Sequence, residues 1–130
     1  MKDFLGKIIF LIHSVIVVFW LFLLVVPADW WPDKISFHFY LTLFIVFNQF
    51  LWGLIIMPWT KKYRMVCFLT TMHQLLRGKS ISDESNYSHS FSKELFENFH
   101  ISLSHKFITF FTLTVFVIVS LQYFLSIYRP

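Results

Sequence analysis

Three long apolar runs without a formal charge constrain this chain more than any other feature. They cover residues 8–26, 35–57 and 107–127. A helix needs about 20 predominantly apolar residues to cross the roughly 30 Å hydrocarbon core of a bilayer. Each run meets that length, so the sequence predicts three transmembrane helices within a single membrane domain, 1–130.

The composition agrees with lipid, rather than water, as the main solvent. Charged residues make up only 14% of the chain, whereas they are about a quarter of a soluble domain. The net charge of +4 comes from basic residues at the ends of the apolar runs, so it indicates topology and not binding to nucleic acid. The single cysteine, Cys67, excludes an intramolecular disulfide.

Basic residues are distributed unevenly about the three runs. Of the 11 lysines and arginines, only Lys34 and Arg129 lie outside the N-terminal segment and the long loop 58–106, which leaves nine there. Cytoplasmic loops carry such an excess, so the N-terminus and the long loop are predicted to be cytoplasmic. Aromatic residues that suit the membrane interface fall at the span ends: Trp30, Trp31, Trp59, Tyr63 and Tyr128.

Residues 64–77 form a different kind of segment. Their polar residues are spaced by three or four, which is the pattern of an amphipathic helix. This helix is too short to span, so it is predicted to lie in the cytoplasmic interface or to dip into the bundle. The loop and helix that follow, 78–106, are predicted to be cytoplasmic. The helix is expected over 91–103, where an apolar residue recurs every four residues. The predicted fold is therefore an all-α, four-helix-bundle-like integral membrane protein with three transmembrane helices and one amphipathic or re-entrant helix.

Polar residues of the spans gather at similar depths. At about 1.5 Å per residue, most of them fall in the inner third of the membrane. The predicted cluster is His13, Asn48, Gln49, Cys67, Thr70 and Thr112. Such residues commonly only hold a bundle together, by bonds worth about 0.6 kcal/mol each. His38 enters from the other side, roughly 18 Å from His13, so the sequence does not favour a two-histidine haem site.

Candidate site residues are few, and their spacing indicates no catalytic arrangement. The predicted metal ligands are His13, Cys67 and His73, which different helices would have to bring together. The residues predicted to contact lipid headgroups are Arg64, Arg77 and Lys79. No cofactor is required by the sequence, and an enzymatic activity is left open although the sequence leans against it.

The segment Cys67-Phe68-Leu69-Thr70, followed by Leu76-Arg77, resembles a family of small bacterial multi-pass membrane proteins classed only as a domain of unknown function. That family has Cys-Pro-Leu-Thr at this place, a glutamate three residues on, and a histidine in each of the first two spans. The corresponding positions here are His13, His38, Cys67, Leu69, Thr70, Leu76 and Arg77, extended less closely by Tyr87 and Phe91. Phe68 replaces the proline and His73 the glutamate. The resemblance implies the architecture and a bacterial inner membrane, but no reaction.

Three hypotheses follow from these observations. The first is a non-catalytic accessory or scaffold subunit that packs against another membrane protein or a second copy of itself. The second is a metal- or cofactor-binding membrane protein with its site in the inner third of the bilayer. The third is a lipid- or quinone-handling site at the inner leaflet, where the amphipathic helix meets the spans. The sequence favours the first, because it contains no catalytic constellation and its helices are rich in phenylalanine.

Overall fold

The computed structural model describes residues 1–84 and 91–129, and within those ranges the chain forms five helices and no strand. The helices are α1 (Lys2–Phe22), α2 (Lys34–Thr60), α3 (Phe68–Leu76), α4 (Phe91–Asn98) and α5 (His105–Tyr128). Three of them, α1, α2 and α5, are long and apolar enough to cross a membrane, which confirms the predicted helical membrane fold. Tyr87, one of the positions of the resemblance, lies outside the described residues.

The spanning helices do not end where the apolar runs end. Hydropathy marks the part of a helix that suits hydrocarbon, whereas the helix itself continues as long as its backbone hydrogen bonds do. α1 begins at Lys2 and ends at Phe22, because the N–H groups of Leu24 and Val25 turn to carbonyls three residues back, at 3.1 and 3.0 Å. α2 continues to Thr60 and is ended by Lys61, which has a left-handed φ of 59°.

The packing divides the bundle into two pairs of helices. α1 packs mainly against α3, and α2 mainly against α5, whereas α1 and α2 touch each other more sparsely. The second pair is antiparallel, since Tyr40 near the start of α2 meets Tyr123 near the end of α5, with 3.0 Å between the hydroxyl oxygens. α1 therefore begins on the side of the membrane where α2 ends and α5 begins. This side is called the N-side, and the opposite side the far side.

The distribution of polarity is the reverse of that in a water-soluble protein. Six hydrophobic side chains are buried among the described residues, against nine polar or charged ones. The buried polar residues are His13, Lys34, His38, Thr42, Thr60, Thr70, Thr71, His73 and Gln74. Large apolar side chains, such as Phe44 and Phe110, face outward. This arrangement suits a surface covered by lipid, and the protein is an integral membrane protein.

The amphipathic helix is shorter than predicted, because the chain first runs back along α2. A helix was expected over 64–77, but α3 begins only at Phe68. The preceding segment is held so close to α2 that a Cβ atom at Gly53 would overlap the carbonyl oxygen of Arg64. The Tyr63 hydroxyl donates to the carbonyl of Phe50 at 3.4 Å. This return brings α3 alongside the spans.

The last predicted helix of the loop is also shorter than expected. An apolar stripe predicted it over 91–103, but α4 ends at Asn98. His100 has a left-handed φ of 60°, which no helical residue adopts. Four residues later, the Ser104 hydroxyl accepts from the backbone N–H of Phe107 at 3.1 Å and caps α5.

Candidate functional site on the N-side

The polar face of α3 is turned into the protein and its apolar face outward. Thr70, Thr71, His73 and Gln74 are all buried, whereas the Phe68 side chain remains 39% exposed. An amphipathic helix lying on a membrane surface would instead present its polar face to water. α3 is therefore packed against the other helices by its polar face.

α3 is attached to α2 through Trp52. The indole Nε1–H of Trp52 donates to the Thr71 hydroxyl at 2.9 Å. The ring of Phe68 meets the same indole edge-on, with 4.8 Å between ring centroids. The close approach at Gly53 lies one residue further along α2. One side of α3 is thus held by a hydrogen bond, an aromatic contact and a backbone contact.

The other side of α3 packs against α1, and His73 is at the centre of this contact. The imidazole lies 5.6 Å from the ring of Phe10 between centroids. Its Cδ2 lies 3.9 Å from where a Cβ atom of Gly6 would be, which is an ordinary van der Waals distance. One turn deeper on α1, His13 is also buried and is near enough for its charge to interact with that of His73. α1 and α3 thus each bury one histidine, His13 and His73.

The ionisation of His73 is shifted by its surroundings. Burial lowers the pKa of its imidazole, and the Arg77 guanidinium lowers it further, whereas the Glu94 carboxylate raises it. Burial is the largest of these influences, so the neutral ring is favoured. A neutral imidazole can donate one hydrogen bond and accept another.

Cys67 stands at the start of α3 with a half-buried, free thiol. Burial raises the pKa of the thiol, although the backbone N–H groups of Leu69 and Thr70 act in the opposite direction. In the part of the chain that the structure describes, no three His, Cys, Asp or Glu side chains are grouped so that they could hold a metal ion. His13 and His73 are brought together, but with Cys67 they do not form such a group.

The predicted polar cluster is only partly assembled. His13 on α1 and Thr70 on α3 are both buried, and Cys67 at the start of α3 is half-buried. Thr112 is separate, because it lies on the exposed surface of α5 and bonds to the carbonyl of Ile108 in its own helix at 2.9 Å. Asn48 and Gln49 are half-buried on α2, and their side chains make no hydrogen bond to another described residue. These residues lie at similar estimated depths in the membrane, but their side chains project from helix faces that do not meet.

The residues predicted to contact headgroups lie on the N-side, and two of them form ion pairs. Arg64 contacts Glu84 at 3.4 Å, and Arg77 contacts Glu94 at 2.9 Å. Lys79 is exposed just after α3. A cleft of about 480 Å³ opens beside Arg77, between α1, α3 and α4, with His73 in its wall. The cleft could not be foreseen from the sequence, because it depends on how three helices meet.

A second polar cluster lies on the far side and was missed by the depth argument. The indole of Trp20 donates to the Thr42 hydroxyl at 2.8 Å, and that hydroxyl donates to the carbonyl of His38 at 2.7 Å. Lys34, His38 and Thr42 are spaced by four and are all buried on one face of α2. This spacing was a readable signal of a buried polar stripe.

His38 is fully buried, and neither of its ring nitrogens has a hydrogen-bond partner among the described residues. Its ring lies edge-on to Trp20, with 6.2 Å between centroids. Trp20 is seven residues from His13, so His38 and His13 are separated by about 10 Å along α1 and not by the roughly 18 Å expected. The two histidines still lie at different depths, which does not suit two axial ligands of one iron.

Comparison of the chain with protein-family models, curated proteins and solved structures finds no match. The resemblance to a family of small bacterial membrane proteins therefore stays a prediction that rests on Cys67, Thr70, Arg77 and the two span histidines.

Proposed function

We propose that this protein is a non-catalytic subunit of a larger membrane assembly and that α2 is the helix by which it joins. The observation that carries the proposal is the position of two amides, Asn48 and Gln49. They lie about halfway along a spanning helix of 27 residues and are only half-buried. An amide in hydrocarbon needs hydrogen-bond partners, and a helix of another chain is the structure that supplies them.

Hydroxyl groups on the lipid-facing surface of α5 do not need such a partner. Thr112 and Thr114 satisfy their hydroxyls within α5, by donating to carbonyls four residues back at 2.9 and 2.8 Å. An amide presents two donor hydrogens and an acceptor oxygen, and one backbone carbonyl cannot satisfy all of them. The contrast favours a partner helix at Asn48 and Gln49, contributed by another membrane protein or by a second copy of this chain.

Photo-crosslinking in native membranes tests the proposal. A photoreactive amino acid in place of Phe47, an exposed neighbour of the amides, is expected to give one adduct of defined mass. The double variant Asn48→Leu, Gln49→Leu should lose that adduct, since two interhelical hydrogen bonds at about 0.6 kcal/mol each correspond to a roughly eightfold weaker association.

The matched control is Thr112→Val, Thr114→Val, which also removes two polar groups from spanning helices but should keep the adduct. An adduct that survives loss of both amides, or its absence from the unaltered protein, would contradict the proposal. The mass of the adduct distinguishes a second copy of this chain from a different protein.

We further propose that the N-side faces the cytoplasm of a bacterial cell and that the protein lies in the inner membrane. The supporting observation is the distribution of basic residues, with nine of 11 lysines and arginines either in the first two turns of α1 or from Lys61 to Lys106. A reporter enzyme active only outside the cytoplasm, fused after Arg129, is expected to be active. Activity of the same reporter inserted after Lys62, and none after Arg129, would show the opposite orientation.

A further inference from the structure

The cleft on the N-side combines charged and apolar surfaces in a definite order. It runs along the first turns of α1 and is closed by the end of α3 and by α4. Its charged rim includes Lys2, Lys7, Arg77 and Glu94, and its apolar wall includes Phe10 and Leu76. From Lys2 to Phe10 the cleft follows α1 for about 12 Å, from the membrane edge into the hydrocarbon. The surface thus changes from charged to apolar with depth.

The charges of the rim favour an anion. Glu94 accepts from Arg77 at 2.9 Å, which fixes the guanidinium in the wall while its other N–H groups stay available. Lys2 and Lys7 lie on α1 and have no ion-pair partner within residues 1–84 and 91–129. Asp3 is the other carboxylate of the rim. Three cationic side chains therefore meet two carboxylates, one of which is already paired.

The size and position of the cleft favour a lipid anion over a small inorganic anion. Its volume of about 480 Å³ is within the usual range of small-molecule sites and much larger than one phosphate ion requires. It lies at the start of a spanning helix whose outward surface is apolar, so the adjacent solvent is the lipid leaflet. A ligand with a phosphate group above and acyl chains below matches the change in polarity along α1.

We propose that this cleft is a phospholipid site, in which Lys2, Lys7 and Arg77 bind the headgroup phosphate and the acyl chains start along Phe10 and Leu76. The proposal concerns a ligand of the N-side and does not depend on the partner helix proposed for α2. Basic residues at this edge of the membrane also set topology. A lipid site is therefore supported only if removing the lysines of the cleft lowers lipid binding more than removing equal charges elsewhere on the N-side.

Photolabelling in lipid nanodiscs tests the site. Full-length protein is placed in phosphatidylcholine discs that contain a minority of phosphatidylglycerol with a photoreactive acyl chain, and the adducts are mapped by mass spectrometry. Labelling is expected along α1 and α3 near Phe10 and Leu76. The variant Lys2→Gln, Lys7→Gln should lower it about thirtyfold, since each of the two lysines near an anionic headgroup contributes about 1 kcal/mol. Both leaflets of the disc are equivalent, so altered topology has no influence.

The matched control is Lys61→Gln, Lys62→Gln, which removes the same charge from exposed positions on the N-side, outside the cleft. It should retain the labelling at α1 and α3. An equal loss in both variants, or labelling spread evenly over the spans, would overturn the proposal, as would displacement of the lipid by millimolar inorganic phosphate. Alkylation of Cys67 at the rate of the unaltered protein confirms that α3 is still in place in each variant.

Discussion

The N-side and the far side of the bundle both bury polar groups between helices, but they do so in different ways. On the N-side, α3 inserts its polar face against α1 and α2, and an open cleft with a charged rim remains beside His73. On the far side, Lys34, His38 and Thr42 are buried on one face of α2, and Trp20 of α1 contacts the last two. The first region is assembled from a returning segment and can admit a ligand, whereas the second is a closed helix contact.

The two regions also depend on different contacts. The N-side requires a backbone approach at Gly53, because a side chain there would overlap the carbonyl of Arg64. The far side rests on side-chain hydrogen bonds through Thr42. We therefore expect an added side chain at Gly53 to release α3 on the N-side. On the far side, we expect the loss of a single hydrogen-bonding group to lower the stability by a smaller amount.

The largest expected effect is that of Gly53→Ala. A Cβ atom would push the segment before α3 away from α2, and overfilling of this kind costs about 2 kcal/mol. The half-buried thiol of Cys67 should then react faster with a maleimide, because α3 is released. Gly6→Ala is the matched control, since its Cβ would lie at an ordinary 3.9 Å from His73. Equal thiol reactivity in the two variants would show that α3 does not depend on the close approach at Gly53.

A smaller effect is expected on the far side for Thr42→Val. This change removes the acceptor of the Trp20 indole and the donor to the His38 carbonyl, which should lower the free energy of unfolding by about 1 kcal/mol. Thermal unfolding in detergent measures it. Thr114→Val, which removes an exposed hydroxyl bonded within its own helix, should have less than half that effect. Cys67 reactivity should not change in either variant, and an increase in Thr42→Val would mean that the two regions are coupled.

The attachment of α3 should also depend on pH through His73. Burial lowers the pKa of His73 in the folded state, so the released state binds the proton more readily. The contribution of His73 to the stability of the attached α3 is therefore fully present above the pKa of an unfolded histidine, about 6.5. This contribution is lost as the pH falls below that value. Hydrogen exchange of residues 68–76 should accelerate over that range.

The variant His73→Gln should remove the dependence of this exchange on pH, whereas His100→Gln, at an exposed position outside the helices, should retain it. An unchanged profile in His73→Gln would assign the dependence to another group. Residues 34–42 of the far side provide the internal reference for the exchange measurement.

The smallest effect is expected for the ion pair at the cleft. Arg77 and Glu94 have side chains that are 48% and 24% exposed, so solvent screens their attraction. A double-mutant cycle with Arg77→Gln and Glu94→Gln should give a coupling of about 0.3 kcal/mol that decreases with added salt. A coupling several times larger and insensitive to salt would mean that the N-side is closed as tightly as the far side.

Several features of the fold could be predicted from residues near one another in the chain. The three spans follow from uninterrupted apolar runs, and the helix that became α3 follows from the spacing of residues such as Thr70 and Gln74. The spacing of Lys34, His38 and Thr42 by four residues likewise predicts a polar stripe on one face of α2. Depth in the membrane instead predicts a cluster that includes Asn48 and Thr112. Depth gives a level in the membrane, whereas a contact also requires that two side chains face each other.

The sequence alone therefore determined that this chain lies in a membrane, where its three crossings are and that a fourth, amphipathic helix follows the second of them. These properties depend on transfer from water to lipid and on helical periodicity, both of which are local. Only the tertiary structure decided that α3 turns its polar face inward, that His73 packs against Phe10 of α1 and that a cleft opens beside Arg77. These depend on the return of the chain along Gly53, where the absence of a side chain lets two backbone segments touch.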